Sequence, residues 1–219
     1  MLVSQYNHIL VVLSFVVAIL AAYTALNMAA RVAGSEGVAA RVWLAGGGIA
    51  MGIGVWAMHF IGMLAMDISM HLSYDPLLTA ISMLIAISAS WFALWLVSGN
   101  ELTMLHLLPG SFVMGMGIVA MHYTGMAALK VEPAIIWDMF WVAISVIIAL
   151  TASFAALWLT FRLRHEAAQV ALMRFGAAIL MGLAIAGMHY SGMMAAKLPD
   201  QEPMSHHGVN GSWLAVLVS

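Results

Sequence analysis

Cysteine is absent from this chain and charge is scarce: of 219 residues, only 7% are Asp, Glu, Lys or Arg. Without thiols there are no disulfides, thiolate metal sites, iron–sulfur clusters or covalently attached haem. Any metal must be held by His, Met, carboxylate or backbone. A soluble domain carries roughly a quarter charged residues, so the polar groups here are too few to cover a globule in water. With 64% hydrophobic residues and a mean hydropathy of +1.03, the composition is that of an integral membrane protein. The net charge of −2 says little, because the few cations matter by position. Met1 to His8 contain no basic leader, and no small-residue cleavage site follows the first apolar run, which reads as an uncleaved span rather than a signal peptide. No nucleophile–base pair and no phosphate loop is present, so the chain itself reads as non-enzymatic.

Six apolar runs, at about 8–30, 42–66, 77–98, 106–130, 134–161 and 172–197, reach the roughly 20 residues needed to cross a bilayer. They predict an all-α, polytopic helix bundle. A polar stretch at 198–212 leads to a seventh run at 213–219, too short to cross, so the chain is expected to be a piece of a longer protein. Arg31, Arg41, Arg162, Arg164 and Arg174 fall in loops on one side, Lys130 and Lys197 on the other. Positive loops stay in the cytoplasm, which puts the N-terminus outside and sends the seventh span inward.

One pattern occurs three times, each time inside an apolar run: Met51-Gly52 with Met58-His59-Phe60-Ile61-Gly62-Met63, Met114-Gly115 with Met121-His122-Tyr123-Thr124-Gly125-Met126, and Met181-Gly182 with Met188-His189-Tyr190-Ser191-Gly192-Met193. The other three runs also match one another, through Ser14, Ser82 and Ser145 and the alanine-rich stretches after them. The unit is therefore a helix pair repeated at a spacing of about 63 to 68 residues, over about 8–67, 77–130 and 134–197. Each unit crosses twice, so the three are parallel, related by an axis along the membrane normal.

At about 100° per residue, the repeated positions, with Val55 and its counterparts Ile118 and Ile185, fall within an arc of about 140°. The varying position (Ile61, Thr124 or Ser191) lies outside it. His59 and Met63 are one turn apart and can approach one ion, as can His122 with Met126 and His189 with Met193. Asp67, Lys130 and Lys197, the first charges after each motif, all come eight residues beyond their histidine. That places each imidazole at the same depth, about 12 Å inside the outer boundary. Small residues and methionines alone would serve packing. Packing does not, however, require a histidine at one place in every unit, and an ionisable group within a membrane reads as functional.

Imidazole suits copper, zinc and iron, whereas thioether selects Cu(I). Nine of the twenty methionines lie in the pattern, so copper is favoured, with zinc or haem as alternatives. Its open position could take O2, CO or NO. His206 and His207 near Met204, and His71 with Asp67 and Asp75, read as loop residues rather than a metal entrance. Trp56 and Trp137 read as packing or interface residues, and His8, His106 and His165 as surface. A metal transporter or channel would need a polar path through both leaflets, which Val42 to Ile49 and Leu107 to Val113 do not offer; a purely structural bundle is the other alternative.

The second motif, Met121-His122-Tyr123-Thr124, is identical to the signature of the MHYT domain, and the other two copies resemble its variants. The resemblance covers essentially the whole chain. It implies a bacterial inner-membrane sensor domain that binds copper and, through it, a diatomic gas. It also implies fusion to cytoplasmic domains that make or degrade cyclic di-GMP. The ligands it implies are His59, His122 and His189 with Met58, Met121 and Met188; helix geometry adds Met63, Met126 and Met193. Phe60 departs from the tyrosine of the other copies. The expected partners are the bilayer, a metal ion, a gas, a cytoplasmic signalling domain and a second copy of the chain, and not nucleic acid.

Overall fold

Each apolar run forms a helix, and between the helices lie short strands that no periodicity announced. The computed structural model describes residues 5–67, 73–99, 101–131, 134–164 and 170–197. In chain order the elements are β1 (Gln5–Tyr6), α1 (His8–Ala33), α2 (Gly37–Leu64), β2 (Met66–Asp67), β3 (Ser73–Tyr74), α3 (Pro76–Val97), α4 (Met104–Ala127), β4 (Leu129–Lys130), β5 (Ile136–Trp137), α5 (Met139–Arg162), α6 (Val170–Ala195) and β6 (Ala196–Lys197). All six helices are long and apolar enough to span a membrane. Several boundaries differ from expectation. Helices α1, α2, α5 and α6 reach past the apolar runs, so Arg31, Arg41, Arg162 and Arg174 lie within helices rather than in loops, and of the five arginines Arg164 alone falls outside one. Helix α5 begins only at Met139, because Asp138 caps it and Ile136–Trp137 pair as a strand.

Each unit is a strand, two helices and a strand. β1 pairs with β2, β3 with β4 and β5 with β6, all antiparallel. These clasps tie the start of each odd helix to the end of the even helix that follows it. The odd helices are capped alike: Asn7, Asp75 and Asp138 accept from first-turn amides. The backbone N–H of each cap donates to the last turn of the partner helix, at the carbonyls of Ala65, Ala128 and Ala195, 2.7–2.8 Å away. Lys130 and Lys197 pair with the cap carboxylates of Asp75 and Asp138 at 3.4 and 2.8 Å. The first unit carries Asn7 and Asp67 at these two places instead, so opposite charges do not face each other there.

The helices close into a ring in chain order, α6 returning to α1, with α2, α4 and α6 also touching one another near the axis. The odd helices turn Ile9, Val12, Leu84, Trp91, Phe140 and similar residues outward, an apolar girdle suited to hydrocarbon. Their inward faces are small: Ala22, Ala25, Ala29, Ala93 and Ala156 share one buried cluster with Leu26, Leu94 and Leu157. At the end that carries the motifs the even helices are buried over a wider arc than the pattern implied, since Ile61 and Ser191 are covered as well.

Candidate metal centre

The three motif glycines and the three histidines assemble the centre together. The first glycine of each motif, Gly52, Gly115 or Gly182, lies against the backbone of Ile87, Leu150 or Ile19 on the odd helix of the next unit; a Cβ there would stand 2.5–3.1 Å from backbone atoms. Close helix approach through small residues is the packing role foreseen for them. The second glycine does something different. A Cβ on Gly125 would fall 2.3 Å from Nε2 of His59, one on Gly192 2.2 Å from Nε2 of His122, and one on Gly62 2.2 Å from Nε2 of His189. Each histidine thus seats its Nε2 edge in the glycine notch of the next unit, and the third closes the circle on the first.

That seating turns all three Nδ1 atoms inward. His59 Nδ1 lies 3.1 Å from Nδ1 of His189 and 3.1 Å from Nδ1 of His122. The ligand atoms of the trio all lie within 4.8 Å of one another, and the side chains are buried. No carboxylate joins them among the described residues. Nitrogens bound to one metal at about 2.0–2.1 Å stand roughly 3.3–3.6 Å apart, so a few tenths of an ångström of expansion would admit an ion. Two facing Nδ1–H groups repel, as do facing lone pairs, so the arrangement calls for a shared proton or a cation between the rings. Among the described residues each Nε2 is buried without a hydrogen-bond partner, a cost that needs offsetting elsewhere.

The predicted methionines are all buried: Met58, Met121, Met188, Met63, Met126 and Met193. Met63, Met121, Met126 and Met193 pack in one apolar cluster with Trp56, Phe60 and Tyr74, and Met188 packs in another with Val119 and Ala149. His8 and His106 are exposed at helix starts, as expected. His71, His165, Met204, His206 and His207 lie outside the described residues.

The residue after each histidine anchors its helix. Tyr123 Oη bonds Ser145 Oγ and Tyr190 Oη bonds Ser14 Oγ, each at 2.8 Å. Phe60 cannot make this bond. Its place is taken by Trp56, whose Nε1–H donates to the equivalent serine, Ser82, at 3.1 Å. Sequence reasoning put Trp56 down as packing and missed this role, although the aligned serines were visible. The phenols are thus tied to neighbouring helices, which explains why one unit can do without its own. Trp137 packs edge-on against Tyr123. Arg164, read as an orienting charge, also donates to the carbonyls of Val97 and Gly99.

With this geometry established, comparison with known proteins is informative. A family model described as a bacterial signalling protein N-terminal repeat, MHYT, matches residues 52–110, 115–173 and 182–219. The chain belongs to the MHYT family. It is 52% identical, over its whole length, to the bifunctional diguanylate cyclase/cyclic di-GMP phosphodiesterase MucR of Pseudomonas aeruginosa, covering 32% of that protein. It is 40% identical over 88% of its length to the cyclic di-GMP phosphodiesterase NbdA of the same organism, and 38% identical over 92% to the signalling protein YkoW of Bacillus subtilis, covering about a quarter of each. The chain therefore spans a third or less of these MHYT relatives, two of which are named as cyclic di-GMP enzymes. No solved structure matches it.

Proposed function

We propose that this MHYT domain senses its signal through one copper ion held by Nδ1 of His59, His122 and His189. The convergence of three buried imidazoles, with His59 Nδ1 3.1 Å from Nδ1 of each of the other two, carries this reading. Copper is preferred to zinc because buried methionines flank each histidine within its motif and no carboxylate joins the trio among the described residues. Haem fits poorly, since ring centroids only 4.9–5.3 Å apart leave no room for a porphyrin between them. Bound copper with an open position supplies reversible binding of O2, CO or NO.

The chain's own residues do the rest. The glycine notches fix each imidazole, and the buried methionines keep water out. The Tyr123–Ser145, Tyr190–Ser14 and Trp56–Ser82 bonds join each even helix to the next odd helix. A change in spacing of the trio is thereby passed to α1, α3 and α5, whose inner ends share one core. MucR and NbdA are named for cyclic di-GMP enzyme activities, so we place this chain as the input of such a cytoplasmic domain, in the bacterial inner membrane with its N-terminus outside. Metal analysis of the purified protein tests the centre. Wild type should hold near-stoichiometric copper and the His59→Ala/His122→Ala/His189→Ala variant none at this centre; equal copper in a trio-ablated protein would overturn the reading, and zinc in place of copper would correct the metal.

A further inference from the structure

We propose that Met51, Met114 and Met181 form a second, separate site on the axis for a soft monovalent metal ion of the Cu(I) class. These residues open the three motifs eight positions before the histidines, so they lie about 12 Å deeper. All three are buried, and all three line each of two small cavities. The outer cavity, about 20 Å3, is closed by Val55, Ile118 and Ile185, and the inner one, about 10 Å3, reaches the alanine and leucine layer of the odd helices. The methionine layer stands between the two.

Ser153 supplies the second observation. It lines the outer cavity, and its Oγ is buried without a hydrogen-bond partner among the described residues. The odd-helix serines Ser14, Ser82 and Ser145 each donate to a carbonyl in the preceding turn. Ser153 does not among the described residues, so a cavity-lining residue keeps a buried hydroxyl with its bonding capacity unused.

The choice of occupant follows from size, polarity and charge. A cavity of this volume holds about one atom-sized guest, which excludes a hydrated ion. A buried water typically makes about three hydrogen bonds and would find one partner here. A divalent ion would leave two charges uncompensated where no carboxylate lines the wall. Three polarizable, flexible thioethers and one hydroxyl oxygen suit a soft ion of single charge. Nothing in this argument uses the histidine trio, so the two sites stand or fall apart.

The test is a titration of the full chain in detergent with Ag(I), a closed-shell stand-in for Cu(I), counted by mass after a wash with a competing ligand. The Met51→Leu/Met114→Leu/Met181→Leu variant conserves volume and should fold; it should bind one Ag(I) fewer than wild type. The His59→Ala/His122→Ala/His189→Ala variant should retain that ion, with sulfur and oxygen but no nitrogen neighbours by X-ray absorption. Equal Ag(I) in wild type and the leucine variant overturns the proposal, even if the alanine variant fails to fold.

Discussion

Gly125 holds open the space that Nε2 of His59 occupies, so the smallest possible side chain there collides with the centre. The Gly125→Ala Cβ would lie 2.3 Å from that nitrogen and 2.8 Å from Cδ2. Overpacking of this kind costs about 1–3 kcal/mol, and the displaced ring takes its Nδ1 away from the other two. Thermal unfolding and metal content should both fall in Gly125→Ala. Gly187, in α6 just before the third motif, is a control, since a Cβ there meets nothing within 4 Å and alanine favours a helix by about 1 kcal/mol. Similar behaviour of the two variants would sink the notch. The anchoring bonds predict a second series. Tyr123→Phe and Tyr190→Phe should each lose about 0.5–1.5 kcal/mol, Trp56→Phe should lose more because packed ring area goes too, and Phe60→Tyr should gain nothing because Ser82 is already engaged. Melts of the four proteins decide this. The motif, the face and the depth of the histidines were readable from spacing alone. The inward turn of Nδ1 was not, because it is imposed by a glycine in another unit.

At the level of elements, the clasps are the clearest addition to the sequence reading. Two-residue strands leave no alternation to detect, and Ile136-Trp137 are apolar enough to have been counted into α5. The caps did carry a signal, in the placing of Asn7, Asp75 and Asp138 before apolar runs. They also give the outer end an acid sensitivity. The amide of Leu78, with those of Leu77 and the Lys130 ammonium, holds the Asp75 carboxyl below its usual range. The Lys197 ammonium, with the Phe140 amide, does the same for Asp138. A carboxyl depressed in the folded protein contributes stability above its unfolded pKa and loses it as pH falls through the folded value. The melting temperature should therefore be steady from about pH 7 to 5 and decline below about 4. Asp75→Asn with Asp138→Asn should flatten that decline, since asparagine still caps, as Asn7 does. A decline unchanged in the double variant would show that other groups cause it.

For the whole molecule, the proposed signalling route runs from a spacing change at the outer end to the core shared by α1, α3 and α5 at the inner end. In a full-length protein, cyclase or phosphodiesterase activity should differ between copper-loaded and copper-free states. It should become indifferent to copper and gas in the His59→Ala/His122→Ala/His189→Ala variant. Equal activity of wild type in all states would remove the sensor reading while leaving the metal centre intact. The count of spans and the parallel units were legible because apolar runs and offsets survive in the sequence. The ring closure was not, because it depends on which face of α6 meets α1.

The glycine notches, the serine anchors and the Gly52-type seams all pass from one unit to the next in the same rotational sense, whereas the clasps close within a unit. A head-to-tail contact used three times closes on itself without needing a covalent link. The molecule thus has the form of a cyclic trimer of one hairpin, written out as a single gene. In a single chain each hairpin meets a fixed neighbour, so one unit can carry Phe60 and use Trp56 where the others use tyrosine, an asymmetry that three identical copies could not hold.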